Sequence, residues 1–135
     1  MVLVDTSIWI PFLANRAPYA KTLDALLDPE EVVAHELVYG ELLIGDITGR
    51  RKFLIAYERI QRATTVPHSD VVAIVRQRGL HGRGIGWIDA HLIASAILGR
   101  LKLWTADSNL SAVAEEMGVS YRSSVSSSAQ PAVPE

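Results

Sequence analysis

The chain has 135 residues, a formal net charge of −2 and 49% hydrophobic residues, enough for one domain around one core. It has no cysteine, which excludes disulfides and thiolate metal sites and leaves only oxygen or imidazole to hold a metal. No apolar run approaches the ~20 residues of a bilayer-crossing helix, and Met1-Val2-Leu3-Val4-Asp5 lacks the basic start of a secretory signal, so a soluble cytoplasmic protein is expected. Val2 to Val4 reads as a short buried strand ending at Asp5. Ser7 to Leu13 reads as a helix kinked by Pro11, and Pro18 to Leu27 as a second helix stopped by Asp28-Pro29. Val32 to Ala34 is a second strand, followed by a helix from His35 to Ile44 closed by Gly45.

Thr48 is placed to cap a helix running to about Arg62, with Phe53, Leu54, Tyr57 and Ile60 on one face. Thr64 to Val66 is predicted as a short strand, and His68 or Ser69 opens a helix to about Arg78. A glycine-rich loop, residues 79–86, precedes a helix from Trp87 to Leu98 ended by Gly99. Leu101 to Ala106 is a strand, residues 108–117 a helix ended by Gly118, and Val119 to Arg122 a last strand. Residues 123–135 are rich in Ser, Ala and Pro and are expected to be a disordered tail on a domain spanning 1–122. Strands that alternate with helices predict an α/β domain with three layers and a mainly parallel sheet, whose ligands bind at the carboxyl ends of the strands.

Asp5 and Asp107 stand at that edge, each just after a predicted strand. Either alone is a good helix cap; two in one crevice repel unless a cation joins them. Glu41 lies mid-helix among Leu37, Val38, Leu42, Leu43 and Ile44, where a charge is costly to bury unless paired; the alternative is a solvent-facing stripe with Asp46. Asp89 is the only charge of an otherwise apolar helix, in the first turn where the helix dipole favours an anion. Four carboxylates and no cysteine suit a hard cation such as Mg²⁺ or Mn²⁺, and the matching chemistry is phosphodiester hydrolysis.

At these residues the sequence resembles a known family. Val4-Asp5-Thr6-Ser7-Ile8-Trp9, Gly40-Glu41-Leu42-Leu43-Ile44-Gly45, Gly86-Trp87-Ile88-Asp89-Ala90-His91 running on to Ala96, and Trp104-Thr105-Ala106-Asp107 come in the order of a PIN domain. The chain looks like a VapC-type toxin of a bacterial type II toxin–antitoxin pair from residue 1 to about 122. The resemblance implies a three-layer α/β/α fold and an Mg²⁺- or Mn²⁺-dependent endoribonuclease. It also implies a homodimer neutralised by a cognate VapB-type antitoxin. It assigns Asp5, Glu41 and Asp89 as principal catalytic and metal-binding acids, Asp107 as the fourth, and Ser7 and Thr105 as polar support.

Charge distribution adds an RNA contact. Residues 50–102 hold ten Lys/Arg against three acids, net +7, and the rest of the chain is −9. Such asymmetry fits a polyanion-facing surface beside an acidic cleft, although solvated helix faces give the same count. Arg83, between Gly82 and Gly84 just before Asp89, is the candidate RNA contact, with Arg76, Arg78 and the run Arg50-Arg51-Lys52 as extensions of the track.

Other patterns carry less. The glycine-rich loop lacks the Gly-Lys-Ser/Thr ending of a P-loop and the preceding strand of a dinucleotide fingerprint. The histidines at 35, 68, 81 and 91 lack zinc spacing, and His91 is expected to be a satisfied core group. Trp9, Trp87 and Trp104 are expected in the core. Two rival functions remain open at this point: a non-catalytic acidic cleft that captures a basic peptide, and a phosphoacceptor receiver-like domain.

Overall fold

The computed structural model describes residues 1–15, 19–45 and 51–122. Within them the chain runs β1 (Val2–Val4), α1 (Thr6–Leu13), α2 (Tyr19–Leu27), β2 (Val32–Val33), α3 (Glu36–Ile44), α4 (Arg51–Glu58), α5 (His68–Arg78), α6 (Trp87–Gly99), β3 (Lys102–Trp104) and α7 (Ser108–Glu116). The three strands form a parallel sheet in the order β2-β1-β3, with Leu3 opposite Val33 on one side and Leu103 on the other. Single bridges extend it at both edges, Ala34 with Arg62 and Leu103 with Ser120, again parallel. Because every pairing is parallel, all strands end at one edge, and Asp5, His35 and Thr105 follow there.

The strands are buried on both faces, which is why they read as apolar runs rather than alternating ones. Leu3 and Val4 of β1, Ile8 and Trp9 of α1, and Leu92 and Ile93 of α6 share one core. A smaller cluster, Val66, Val71, Ala90 and Ala94, lies between α5 and α6. α1 continues through Pro11, whose missing N–H leaves the Ser7 carbonyl without its helical donor.

Several expected boundaries shift, each for a local reason. Residues 64–66 are not a strand: β2 is met instead at Arg62, and Val66 turns down into the α5–α6 cluster. The last strand shrinks to the bridge at Ser120, held by Leu103 N–H to the Val119 carbonyl and Tyr121 N–H to the Leu103 carbonyl. β3 stops at Trp104 because the next residues turn toward the site. Gly45 ends α3 in an extended conformation, not a left-handed one. α6 runs through Gly99, and Arg100 takes the left-handed position at φ 55°. Leu101 folds back over Gly99 so closely that a Cβ there would lie 3.3 Å from Leu101 Cγ. The expected Thr48 cap, Arg50, Asp46 and the 123–135 tail lie outside the described residues. Among the described residues no helix is long and apolar enough to cross a membrane.

Candidate active site

Asp5 follows β1 directly and is only 6% exposed. Although it precedes α1, its side chain makes no cap hydrogen bond. Its Oδ2 instead accepts from Ser7 Oγ at 2.7 Å and Thr105 Oγ1 at 2.8 Å. Ser7 Oγ in turn accepts from the Ala106 N–H, and the Asp5 N–H donates to the Trp104 carbonyl. The turns after β1 and β3 are thus stitched together around one carboxylate. The helix-cap reading therefore fails for Asp5.

It holds for Asp107, whose Oδ1 accepts from the N–H groups of Asn109 and Leu110 at the start of α7. Asp89 accepts at Oδ2 from the Gly86 N–H at 3.0 Å, tying the first turn of α6 to the end of the glycine-rich loop. Glu41 is half-buried on α3 and accepts at Oε1 from Thr6 Oγ1 at 2.6 Å. Thr6 was not singled out from sequence; its place directly after a strand-end acid was the available signal.

The acids feel one another. Partial burial raises the Asp89 carboxyl above the usual range, the Gly86 hydrogen bond opposes this, and the charges of Asp5 and Asp107 raise it further. Glu41 joins the group through Thr6, next to Asp5. Among the described residues the two ion pairs, Arg83 with Glu116 and Arg122 with Glu115, leave all four acids without a basic partner. Each acid spends one oxygen on a protein donor. No protein donor among the described residues reaches Asp5 Oδ1, Glu41 Oε2, Asp89 Oδ1 or Asp107 Oδ2. As the side chains are turned, no three of the described carboxylate and imidazole groups enclose a single ion position. The donor set nevertheless fits a hard divalent cation: it is all oxygen, mutually repelling, partly desolvated, and oriented from behind by hydroxyl and backbone donors.

Arg83 is not a free cation. Its Nη1 and Nη2 donate to both carboxylate oxygens of Glu116 at 2.9 and 2.5 Å. Asn109 Nδ2 adds a long contact of 3.5 Å to the Gly84 carbonyl, so the glycine-rich loop is fastened to α7. Gly84 has φ +81°, and a Cβ there would stand 2.4 Å from Asn109 Nδ2, so the approach needs glycine.

Behind the acids, His35 links α3 to α6. Its Nδ1 accepts from the Leu37 N–H, which puts the ring proton on Nε2 facing Ser95 Oγ at 3.0 Å. Ser95 Oγ donates to the Thr64 carbonyl, and Tyr57 Oη accepts from the His35 N–H. Burial lowers the His35 pKa below 6.5, with Glu36 opposing and His91 assisting. A group whose folded pKa is depressed binds fewer protons when folded, so its contribution is complete above the unfolded value near 6.5 and drains away as pH falls below it. Stability followed by thermal melting is expected to decline as pH drops through 6.5, and less steeply in His35→Asn, which keeps an acceptor for Leu37 but does not titrate. A variant with the same pH slope as the wild type contradicts this assignment.

The expectation for His91 is corrected: it is buried, but its Nδ1 has no partner among the described residues. Trp9 and Trp104 are buried as expected, whereas Trp87 is 43% exposed. Leu43 and Ile44 are exposed too, so the aliphatic end of α3 does not close over Glu41.

Residues 2–116 match the PIN-domain family, and the chain belongs to it. Over 127 residues it is 40% identical to Ribonuclease VapC32 of Mycobacterium tuberculosis, from strains CDC 1551 / Oshkosh and ATCC 25618 / H37Rv alike. The match covers 93% of this chain and 100% of that protein. The fold is shared with the crystal structure of PAE2754 from Pyrobaculum aerophilum, at a TM-score of 0.54 and 16% identity, over 87% of this chain and 88% of the other. The resemblance to VapC-type PIN domains drawn from the four motifs therefore holds.

Proposed function

We propose that this chain is the endoribonuclease toxin of a toxin–antitoxin pair, hydrolysing RNA phosphodiester bonds with a divalent cation, Mg²⁺ or Mn²⁺, held by Asp5, Glu41, Asp89 and Asp107. The observation that carries this reading is the set of four oriented carboxylates, each with one oxygen lacking a protein donor and none with a basic partner among the described residues. Similarity to a protein named as a ribonuclease supports it. Bound there, such a cation supplies a Lewis acid for a phosphoryl oxygen and a water of lowered pKa. Ser7 and Thr105 keep Asp5 from turning away, Thr6 does the same for Glu41, and the Gly86 N–H for Asp89. Without the cation the acids repel the RNA backbone.

The same chemistry defines the inhibitor. A cognate VapB-type antitoxin is expected to place a basic side chain, best an arginine, among the acids, since a guanidinium matches paired carboxylates. The toxin is expected to be a homodimer. One experiment covers these points: Mn²⁺ titration of the purified chain followed by thermal melting and RNA cleavage, alone and with the antitoxin, with molar mass read by light scattering. Saturable stabilisation, cleavage blocked by the antitoxin and a dimeric mass support the reading. Melting that ignores the cation, with no cleavage, contradicts it.

Arg83 enters this reading as a phosphate contact at the rim. Its pair with Glu116 is solvent-exposed, and such pairs contribute little and are screened by salt, so a phosphate can take over the guanidinium. Arg83→Ala is expected to weaken RNA binding and to flatten its salt dependence by roughly one phosphate contact. An unchanged salt slope leaves Arg83 only the task of fastening the loop.

A further inference from the structure

A surface pocket of about 150 Å³ lies beside the glycine-rich loop, lined by Val75, Leu80, His81, Ile85, Gly86 and Trp87 among others. It is well below the ~300 Å³ of a pocket for a drug-sized ligand, and so suits a single ring system. Gly86 is shared between the pocket and the candidate active site, because its N–H donates to Asp89 Oδ2. Trp87 lies two residues before Asp89 on α6, about 3 Å along the helix axis but on a different face of its first turn, so Gly86 is what joins pocket and acids. Its ring is held in place: His91 meets it edge-on at 5.1 Å and 89°, and His68 tilts against it at 5.2 Å. Despite this bracing Trp87 remains 43% exposed. Arg76 and Arg78, both exposed in the last turn of α5, lead the chain into the pocket wall at Leu80.

We propose that this pocket receives one unpaired nucleobase of the RNA, on the strand that leads to the scissile phosphate, stacked on Trp87. The proposal rests on the ribonuclease reading and adds to it a recognition subsite. Every base presents a π-face, so a braced, exposed indole serves as a stacking platform. Glycine at 82 and 86 lets the backbone approach the base edge without side-chain interference. Arg76 and Arg78, exposed on the turn of α5 that leads to Leu80, supply positive charge near a strand entering the pocket. A paired base is not available for such a pocket, so the subsite selects single-stranded loops and ends.

The test is binding of a short, unstructured, end-labelled oligoribonucleotide in EDTA, where no cleavage occurs. Trp87→Ala is expected to weaken binding by about tenfold or more, the scale of one base–aromatic stack, and Trp87→Phe to retain most of the affinity. A series of the same oligonucleotide with one abasic nucleotide moved along it is expected to show one position where loss of the base costs wild type a similar factor and costs Trp87→Ala nothing further. In the presence of metal, the Trp87→Ala loss falls on KM and spares kcat. The wild-type abasic series tests the subsite even if a Trp87 variant fails to fold. Cleavage with no position-dependent abasic effect overturns the subsite while leaving the ribonuclease reading intact. So does a Trp87→Ala variant that binds RNA normally and loses only the antitoxin. No RNA cleavage by the wild-type chain with metal overturns the ribonuclease reading itself.

Discussion

Asp89→Asn is expected to lower RNA cleavage by at least about a thousandfold, because a metal-centred Lewis acid contributes several kcal/mol to such a transition state and each ~1.4 kcal/mol is a factor of ten in rate. The fold is expected to survive and, without metal, to become more stable. Asn retains an acceptor for the Gly86 N–H and removes a charge that burial and the neighbouring Asp5 and Asp107 disfavour. The sign follows from linkage: a carboxyl whose pKa is raised on folding destabilises the folded state increasingly as pH rises above its unfolded value, and fully once pH exceeds the folded one. Asp5→Asn is expected to act alike on activity, since both of its hydrogen bonds end on one oxygen that an amide carbonyl replaces. Cleavage assays and thermal melts in EDTA read the two effects separately. A variant that loses activity by unfolding contradicts the account.

Trp9→Ala is expected to cost about 3–5 kcal/mol, the range for truncating a large buried aromatic and a large part of a small domain's stability. Trp9 is fully buried. Its ring meets Phe12 at 5.6 Å, Phe53 at 5.4 Å and Tyr57 at 5.4 Å, binding α1 to α4. α1 brings Thr6 and Ser7 to the acids, so the loss loosens the site as well as the core. Trp9→Phe is expected to cost much less, because it keeps a ring there and removes an indole N–H that has no acceptor among the described residues. Denaturant unfolding measures both, and similar losses for the two variants contradict this view of the core.

The α/β order was legible because local patterns carry it: a β-branched run before Asp5, helical apolar spacing through α2 and α4, and glycines closing the segments. The sheet's outer pairings were not, since nothing local tells Ala34 to meet Arg62 rather than residues 64–66. Motif order and places beside strand ends and in the apolar helices singled out the four acids as the proposed site. The way they are held was not. Thr6 reaches Glu41 across 35 residues, and Thr105 reaches Asp5 across 100. Asp5 and Asp107 look alike in sequence, both strand-end acids before a helix, yet only Asp107 caps its helix, because the hydroxyls of Ser7 in its own turn and of Thr105 after β3 claim Asp5. Arg83 looked free between two glycines; Glu116, 33 residues further on, pairs with it. Trp87 reads as core from its apolar neighbours, yet its ring stays 43% exposed while packing against His68 and His91.

The measurement that bears most directly on the central claim is cleavage of cellular RNA by the wild-type chain and by an Asp5→Asn, Asp89→Asn double variant purified in parallel, each with Mg²⁺, with Mn²⁺ and with EDTA. Cleavage by the wild-type chain in either metal, with none in EDTA and none by a folded double variant, is the result predicted. RNA cleavage that persists in EDTA, or that survives loss of both carboxylates, contradicts a carboxylate-held metal as the source of the activity.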